Sequence, residues 1–407
     1  MSAVEKIKLQ FLLSAVAKSA ECLQNNSSEG RQTFLRSALM TSTKILTLIS
    51  CCWIHIIIGS IYAESVLYKT ITQLTSWNLN IAVTGFSLSI LTLGLSAAFF
   101  RKFTQNMSLK KILSISAVLY IAFQSVLWLV ISNSADSLFY LAVCILRGVP
   151  LGILYAGNVS KATELSKKYV GLCSGLVVMS FGLGSLLAAK IYPALIQTSV
   201  TNSLIYLFCS WLSIILSLSL FREDSTIKYS SALALIKNKS WQKLSAVFFL
   251  NICVGIILLS NLVNLTTNAG FDIEVAITLV GISGIFNGAG RIIFASAADY
   301  FGRLRTLKTA FLLQIFCAGL LFFNWQIGVL GIISIYGAGF ALMPGICKEI
   351  FDDGTSAYSL LLSWWGIAGI FAPLIFLNFP HIEILILTSC IIFIISLTIR
   401  DTNFKAA

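Results

Sequence analysis

Arg291 is the residue of this chain with the most legible chemistry. It sits in "FNGAGRIIFASAADYFGR", Phe286–Arg303, with Asn287 four residues before it and Asp299, Gly302 and Arg303 after it. A planar cation with five donors, beside an amide, is suited to grip a carboxylate at two points. Ser283, Asn287 and Arg291 recur every four residues and so share one helix face. Gly284 and Gly288 give that helix a small-residue edge for close packing. Two readings of Arg291 stand at this point, a site for an anionic substrate or one side of a structural ion pair.

Other residues could act with it. Glu64 and Lys190 each stand about 20 residues from the start of an apolar run, a similar depth at which they could pair, gate or handle a proton. Arg147, in "LRGVPLGILY", either binds backbone carbonyls or faces a cavity. Tyr62, Tyr155 and Trp365 could line a substrate path, and the isolated His55 reads as a packed residue rather than a proton relay. With two histidines in total, no His-rich box and no Ser/His/Asp constellation, the chain is not read as an enzyme. No catalytic group, metal or cofactor is expected. Eight of the ten cysteines, Cys51, Cys52, Cys144, Cys173, Cys209, Cys253, Cys317 and Cys390, fall in apolar runs, where a thiol behaves as a small apolar group.

The elements that must hold these groups are transmembrane helices. The chain has 407 residues, of which 57% are hydrophobic and 11% charged, against about 25% charged in a soluble protein. Runs of roughly 20 apolar residues, each enough to cross a ~30 Å hydrocarbon core, recur along it. They predict an all-α polytopic membrane protein of twelve spans: 45–67, 80–100, 112–132, 136–157, 170–192 and 203–221, then 243–265, 274–298, 307–324, 326–346, 357–378 and 381–399. The domain reading is an N-terminal segment 1–43, a six-helix bundle 44–221, an inter-half loop 222–242, a second six-helix bundle 243–399 and a tail 400–407. The stretch Phe11–Ala17 lacks the length and cleavage site of a signal peptide, and suits an amphipathic helix on the membrane surface.

The net charge of +12 is a matter of topology rather than of nucleic-acid binding. Arg101, Lys102, Lys110 and Lys111 fall in the second inter-span loop, Lys161, Lys167 and Lys168 in the fourth, Arg222–Lys243 in the sixth, and Arg303, Arg305 and Lys308 in the eighth. The odd-numbered loops carry almost none, Lys69 excepted. Positive-inside placement puts both termini in the cytoplasm, which suits a multi-pass protein of a bacterial inner membrane. Within this frame Arg291 lies eight residues before Asp299, about 12 Å into span eight, and leans toward the helix N-terminus and the midplane. A charge there costs at least about 2.5–3.5 kcal/mol on insertion scales, so it needs a reason.

"ASAADYFGR", Ala295–Arg303, resembles the loop signature of the major facilitator superfamily, Gly-x-x-x-Asp-x-x-Gly-Arg, with alanine in the first position. The first-half copy is eroded, with Thr104 near the expected aspartate. Longer blocks resemble the oxalate/formate antiporter family: "GSIYAESVLYKTITQLTSWNLNIAVTGFSLSILTLGLSAAF", "GILYAGNVSKATELSKKYVGLCSGLVVMSFGLGS", the Arg291 stretch, and "YGAGFALMPGICKEIFDDGTSAYSLLLSWWGIAGIFAP". The resemblance implies a monomeric twelve-helix transporter of small organic anions, working by alternating access as an antiporter or with protons. In it Arg291 corresponds to the arginine that holds the substrate carboxylate. Asn287 stands where related monocarboxylate transporters have an aspartate, and Tyr62 and Tyr155 fit cavity tyrosines. Trp365 replaces the second cation of the oxalate exchanger, so a monocarboxylate is the expected cargo rather than oxalate. Glu64 replaces a tryptophan and makes proton coupling conceivable. Asp299 and Arg303 are the expected latch on the cytoplasmic side, with Asp352 and Asp353 as candidate partners for the basic eighth loop. A carrier of another small solute (sugar, amino acid or drug), or an anion sensor with this fold, would share these features.

Overall fold

The computed structural model describes residues 28–103, 107–166, 168–198, 200–221, 232–378 and 381–399. The Phe11–Ala17 stretch, residues 222–231 of the inter-half loop and the tail 400–407 lie outside the described residues. The chain divides into a short unit, Met1–Ile49, and a main unit, Ser50–Ala407, which holds every site discussed below.

The described residues are helical, with no strand among them. The first span is broken into α1 (Ser28–Ile58), a 3-10 segment (Gly59–Ala63) and α2 (Glu64–Leu74). The spans that follow are α3 (Leu79–Phe103), α4 (Leu109–Ser132), α5 (Ser137–Leu165), α6 (Val170–Thr198) and α7 (Val200–Ser219). The second half comprises α8 (Lys239–Asn268), α9 (Ile273–Phe301), α10 (Arg303–Leu320), α11 (Trp325–Ile350), α12 (Gly354–Asn378) and α13 (Glu383–Leu397). Each expected span thus falls on a helix, in order. Among the described residues nine helices are long and apolar enough to cross a membrane. The described part of α13, with 15 residues, reaches only about 22 Å at 1.5 Å per residue. Several helices run beyond the expected spans; α5 continues to Leu165 where 157 was expected.

Local chemistry sets the boundaries. Asp136 caps α5 by accepting from the Leu138 and Phe139 amides, and Asn238 caps α8 in the same way. Gly302 turns the chain between α9 and α10 at φ 88°, a conformation that a side chain resists. The break in the first span coincides with a close approach. Gly59 lies against the Phe181 backbone, where a Cβ would collide with the carbonyl oxygen. Gly184 meets the Ile56 carbonyl in the same manner, so the first span and α6 touch backbone to backbone.

The packing repeats between halves. In the first half α3 lies along α5, and in the second α9 lies along α11, the corresponding pair. The halves meet through α3 with α12 and through α6 with α9. Along the latter seam Gly171 and Gly175 of α6 face Ala295, while Gly284 and Gly288 of α9 face Leu186 and Met179. The small-residue edge read from the sequence is therefore the face that α9 turns to the other half.

Candidate substrate site and latch

Arg291 lies on the α6–α9 seam, buried. Its Nε donates to Asn287 Oδ1 at 3.1 Å, the bond that their spacing of four predicts. Its Nη1 donates to the Val178 carbonyl of α6, and the guanidinium stands over the Phe340 ring, 5.5 Å from the centroid. No carboxylate lies within ion-pair distance of it among the described residues. Among the described residues Arg291 is thus oriented by neutral groups.

A cluster of rings adjoins this cation through Phe340. Tyr62 of the 3-10 segment, Tyr155 of α5 and Trp365 of α12 come together: Tyr155 and Trp365 at 5.2 Å between centroids, Tyr62 and Trp365 at 6.2 Å. Phe181 of α6 stands edge-on to both tyrosines at 5.3 Å, and Phe340 of α11 packs on Trp365 at 5.1 Å. His55 of α1 lies 5.1 Å from Tyr155. Tyr336 of α11 stands edge-on to Phe340 at 5.4 Å, and the Tyr155 and Tyr358 hydroxyls approach one another. Both halves therefore supply rings to one aromatic cluster, which meets the Arg291 guanidinium at Phe340. Tyr358 also borders a cleft lined by Ser160, Thr163, Lys348 and Thr355.

The second buried arginine has a different environment. Arg147 of α5 pairs with Glu64, the first residue of α2, through Nη1 to Oε1 and through Nη2 to Oε2 at 2.9 Å. Gln124 of α4 accepts from Nη1 at 3.1 Å and Ser89 of α3 from Nη2 at 2.8 Å. The pairing of Glu64 with Lys190 expected from equal depth is corrected here: Glu64 turns inward to Arg147, and Lys190 is exposed. Neither reading of Arg147, on carbonyls or facing a cavity, describes its side-chain partners.

At the end of the bundle that carries the α9–α10 turn, charge joins four helices. The Asp299 carboxylate accepts the Gly171 and Leu172 amides, both at 3.0 Å, capping the exposed N–H groups at the start of α6. Arg303 bonds Asp299 at 3.4 Å and also pairs with Glu349 of α11. Glu349 thus takes the place in which Asp352 and Asp353 were expected. Asp353 instead caps the start of α12, accepting from the Ser356 amide at 2.9 Å and from its hydroxyl at 2.6 Å. The nine described cysteines are free.

The sequence pattern of the Major Facilitator Superfamily matches residues 46–373, most of the chain. The chain belongs to that superfamily. Solved major facilitators share its fold. FucP in the outward conformation superposes with a TM-score of 0.72 at 13% identity, covering 88% of this chain and 100% of that one. The E. coli fucose:proton symporter FucP (N162A) gives 0.71 at 13%, with the same coverage. The proton:xylose symporter XylE bound to 6-bromo-6-deoxy-D-glucose gives 0.66 at 14%, covering 89% and 97%. No curated protein matches the chain. This major facilitator is thus a polytopic membrane transporter, not an enzyme, of the class that moves small solutes.

Sequence reasoning missed several residues that its site draws in: Gln124 and Ser89 on Arg147, Glu349 on Arg303, and Phe181, Phe340 and Tyr358 at the centre. Gln124 carried a signal, an amide within the apolar run of span three. The phenylalanines carried none, since the chain has 28 of them.

Proposed function

We propose that this major facilitator is a secondary active transporter of a small monocarboxylate. Arg291 holds the carboxylate, Asn287 orients Arg291, and the rings of Tyr62, Tyr155 and Trp365 close around the cargo. One contrast carries the reading. Among the described residues two guanidiniums are buried in the bundle: Arg147 is neutralised by Glu64, whereas the described partners of Arg291 are an amide, a carbonyl and a ring. An uncompensated buried cation is costly, and a small anion is the partner that offsets the cost. A single cation selects for one carboxylate rather than two. The sequence blocks that resemble the oxalate/formate antiporters point the same way.

In this reading transport proceeds by rocking of the two halves about Arg291. Asp299, Arg303 and Glu349 latch the cytoplasmic end, and their bonds to α6 and α11 break as that end opens. Exchange of one anion for another needs no further group. Where transport is linked to protons, Glu64 is the acid that would take the proton, releasing Arg147.

Counterflow in proteoliposomes tests the proposal, with formate, lactate, pyruvate, oxalate and malate as internal substrates and labelled monocarboxylate outside. Uptake is expected for wild type and is lost in Arg291→Gln. Uptake of a sugar or amino acid instead, or carboxylate uptake that survives in Arg291→Gln, overturns it. Carboxylate binding without counterflow would make the chain a sensor.

A further inference from the structure

The centre holds polar groups that the carboxylate site does not use. His55 is 0% exposed, Tyr155 1% and Tyr358 2%. Neither ring nitrogen of His55 and neither tyrosine hydroxyl has a hydrogen-bond partner of normal geometry among the described residues. The Cys51 carbonyl stands near the imidazole one turn back, and the Tyr155 and Tyr358 hydroxyls lie close to one another, without completing such bonds. Asn158, three residues after Tyr155 on α5, leaves both of its buried amide atoms unpartnered as well.

Leaving a buried donor or acceptor unmatched costs about 1–3 kcal/mol, and such groups are a small minority in folded proteins. Orphaned atoms occur elsewhere too, among them Gln314, Ser245, Asn251, Ser359 and Trp364, but not as a group of side chains from three helices beside the ring cluster. His55, Tyr155 and Tyr358 come from α1, α5 and α12: the His55 and Tyr155 rings lie 5.1 Å apart, and the Tyr358 hydroxyl lies beside that of Tyr155. A neutral imidazole offers one donor and one acceptor, and a phenol can do either. The complementary group on a ligand both donates and accepts a hydrogen bond. An aliphatic hydroxyl does this, and a methylene cannot.

We propose that His55, Tyr155 and Tyr358 form a polar wall that reads a hydroxyl on the transported monocarboxylate, so that the carrier selects hydroxy acids over their unsubstituted counterparts. The inference rests on Arg291 as the carboxylate holder and adds the residues that choose among carboxylates. A site built to bond a hydroxyl rejects the analogue without it strongly, because its own buried groups are then left unpaired. In enzymes the ratio reaches about 10⁴–10⁵. A transport cavity that opens to water in each cycle is expected to show at least about tenfold.

The test uses the full-length chain in proteoliposomes and matched pairs, lactate against propionate and 3-hydroxybutyrate against butyrate, as competitors of labelled uptake. Wild type is expected to take the hydroxy acid with a half-saturation at least about tenfold lower. In Tyr155→Phe, Tyr358→Phe and His55→Gln the ratio is expected to shrink toward one. Equal half-saturation for both members of a pair in wild type overturns the inference, and so does a wild-type ratio that persists in all three variants. The wild-type comparison needs no variant to fold. Equal use of both members with dependence on Arg291 intact overturns the polar wall alone. Failure to take up any carboxylate, or uptake that ignores Arg291→Gln, removes the carboxylate reading beneath it.

Discussion

Glu64 and Arg147, 83 residues apart in sequence, meet in a buried two-point pair whose Nη groups also donate to Gln124 and Ser89, while Nε has no partner among the described residues. This bond ties the end of the broken first span to α3, α4 and α5. Removing one partner leaves the other as an uncompensated charge, which costs about 3–5 kcal/mol, whereas removing both can be nearly neutral. Glu64→Gln and Arg147→Met are each expected to lower the apparent Tm of the purified protein markedly, and the double variant to recover much of the loss. Single variants that melt like wild type would show that the pair contributes little to the fold.

The latch makes a prediction about exposure. Asp299 caps α6 through two backbone amides, next to Cys173 in the first turn of that helix. Cys173 is buried while the contact holds. Asp299→Asn keeps one acceptor but loses the charge, and hydrogen bonds to charged groups contribute about 1.5–3 kcal/mol. The closed state should lose population to match, so that alkylation of Cys173 by a membrane-permeant maleimide, read by mass spectrometry, rises about tenfold or more. Labelling that does not change means that Asp299 does not hold this end closed.

What the sequence could and could not tell follows from the range of each interaction. Asn287 and Arg291 were readable as a unit because four residues along one helix fix their proximity whatever the tertiary structure. The Asp299–Arg303 turn was readable for the same reason, down to Gly302 at the positive φ. The partner of Glu64 was left open because depth in a membrane gives height but not direction around the bundle. Lys190 stands at a suitable height and is exposed. The close approach at Gly59 was invisible because the Phe181 carbonyl it meets lies on another helix. The polar wall was half visible: His55 and Tyr155 were noted as single residues, but only packing brings Tyr358 beside them.

The break in the first span carries its own test. A methyl group at Gly59 would collide with backbone, which cannot move aside as a flexible side chain can. Gly59→Ala is therefore expected to cost about 1–3 kcal/mol, as overpacking does. It should also displace Tyr62 and Glu64, which follow directly. The measurements are apparent Tm and half-saturation for the labelled anion, and both should worsen together. A fall in Tm with unchanged half-saturation would separate the break from the site.

Charge balance at the centre can be altered without touching Arg291. Asn287 Oδ1 already accepts from the Arg291 Nε at 3.1 Å, so Asn287→Asp places a carboxylate in a position the arginine already holds, with hardly any change in volume. The internal acid then occupies the cation, and a substrate carboxylate must displace it or bind beside a like charge. Anion uptake should fall to the level of Arg291→Gln, while the protein remains folded and by Tm becomes no less stable, because a buried charge has gained a partner. Asn287→Ala leaves the cation free but less firmly oriented. It should weaken half-saturation by about tenfold, the loss of one hydrogen bond to a charged group, without abolishing transport. An Asn287→Asp protein that carries carboxylates as well as wild type would mean that the net charge at Arg291 does not bind the cargo.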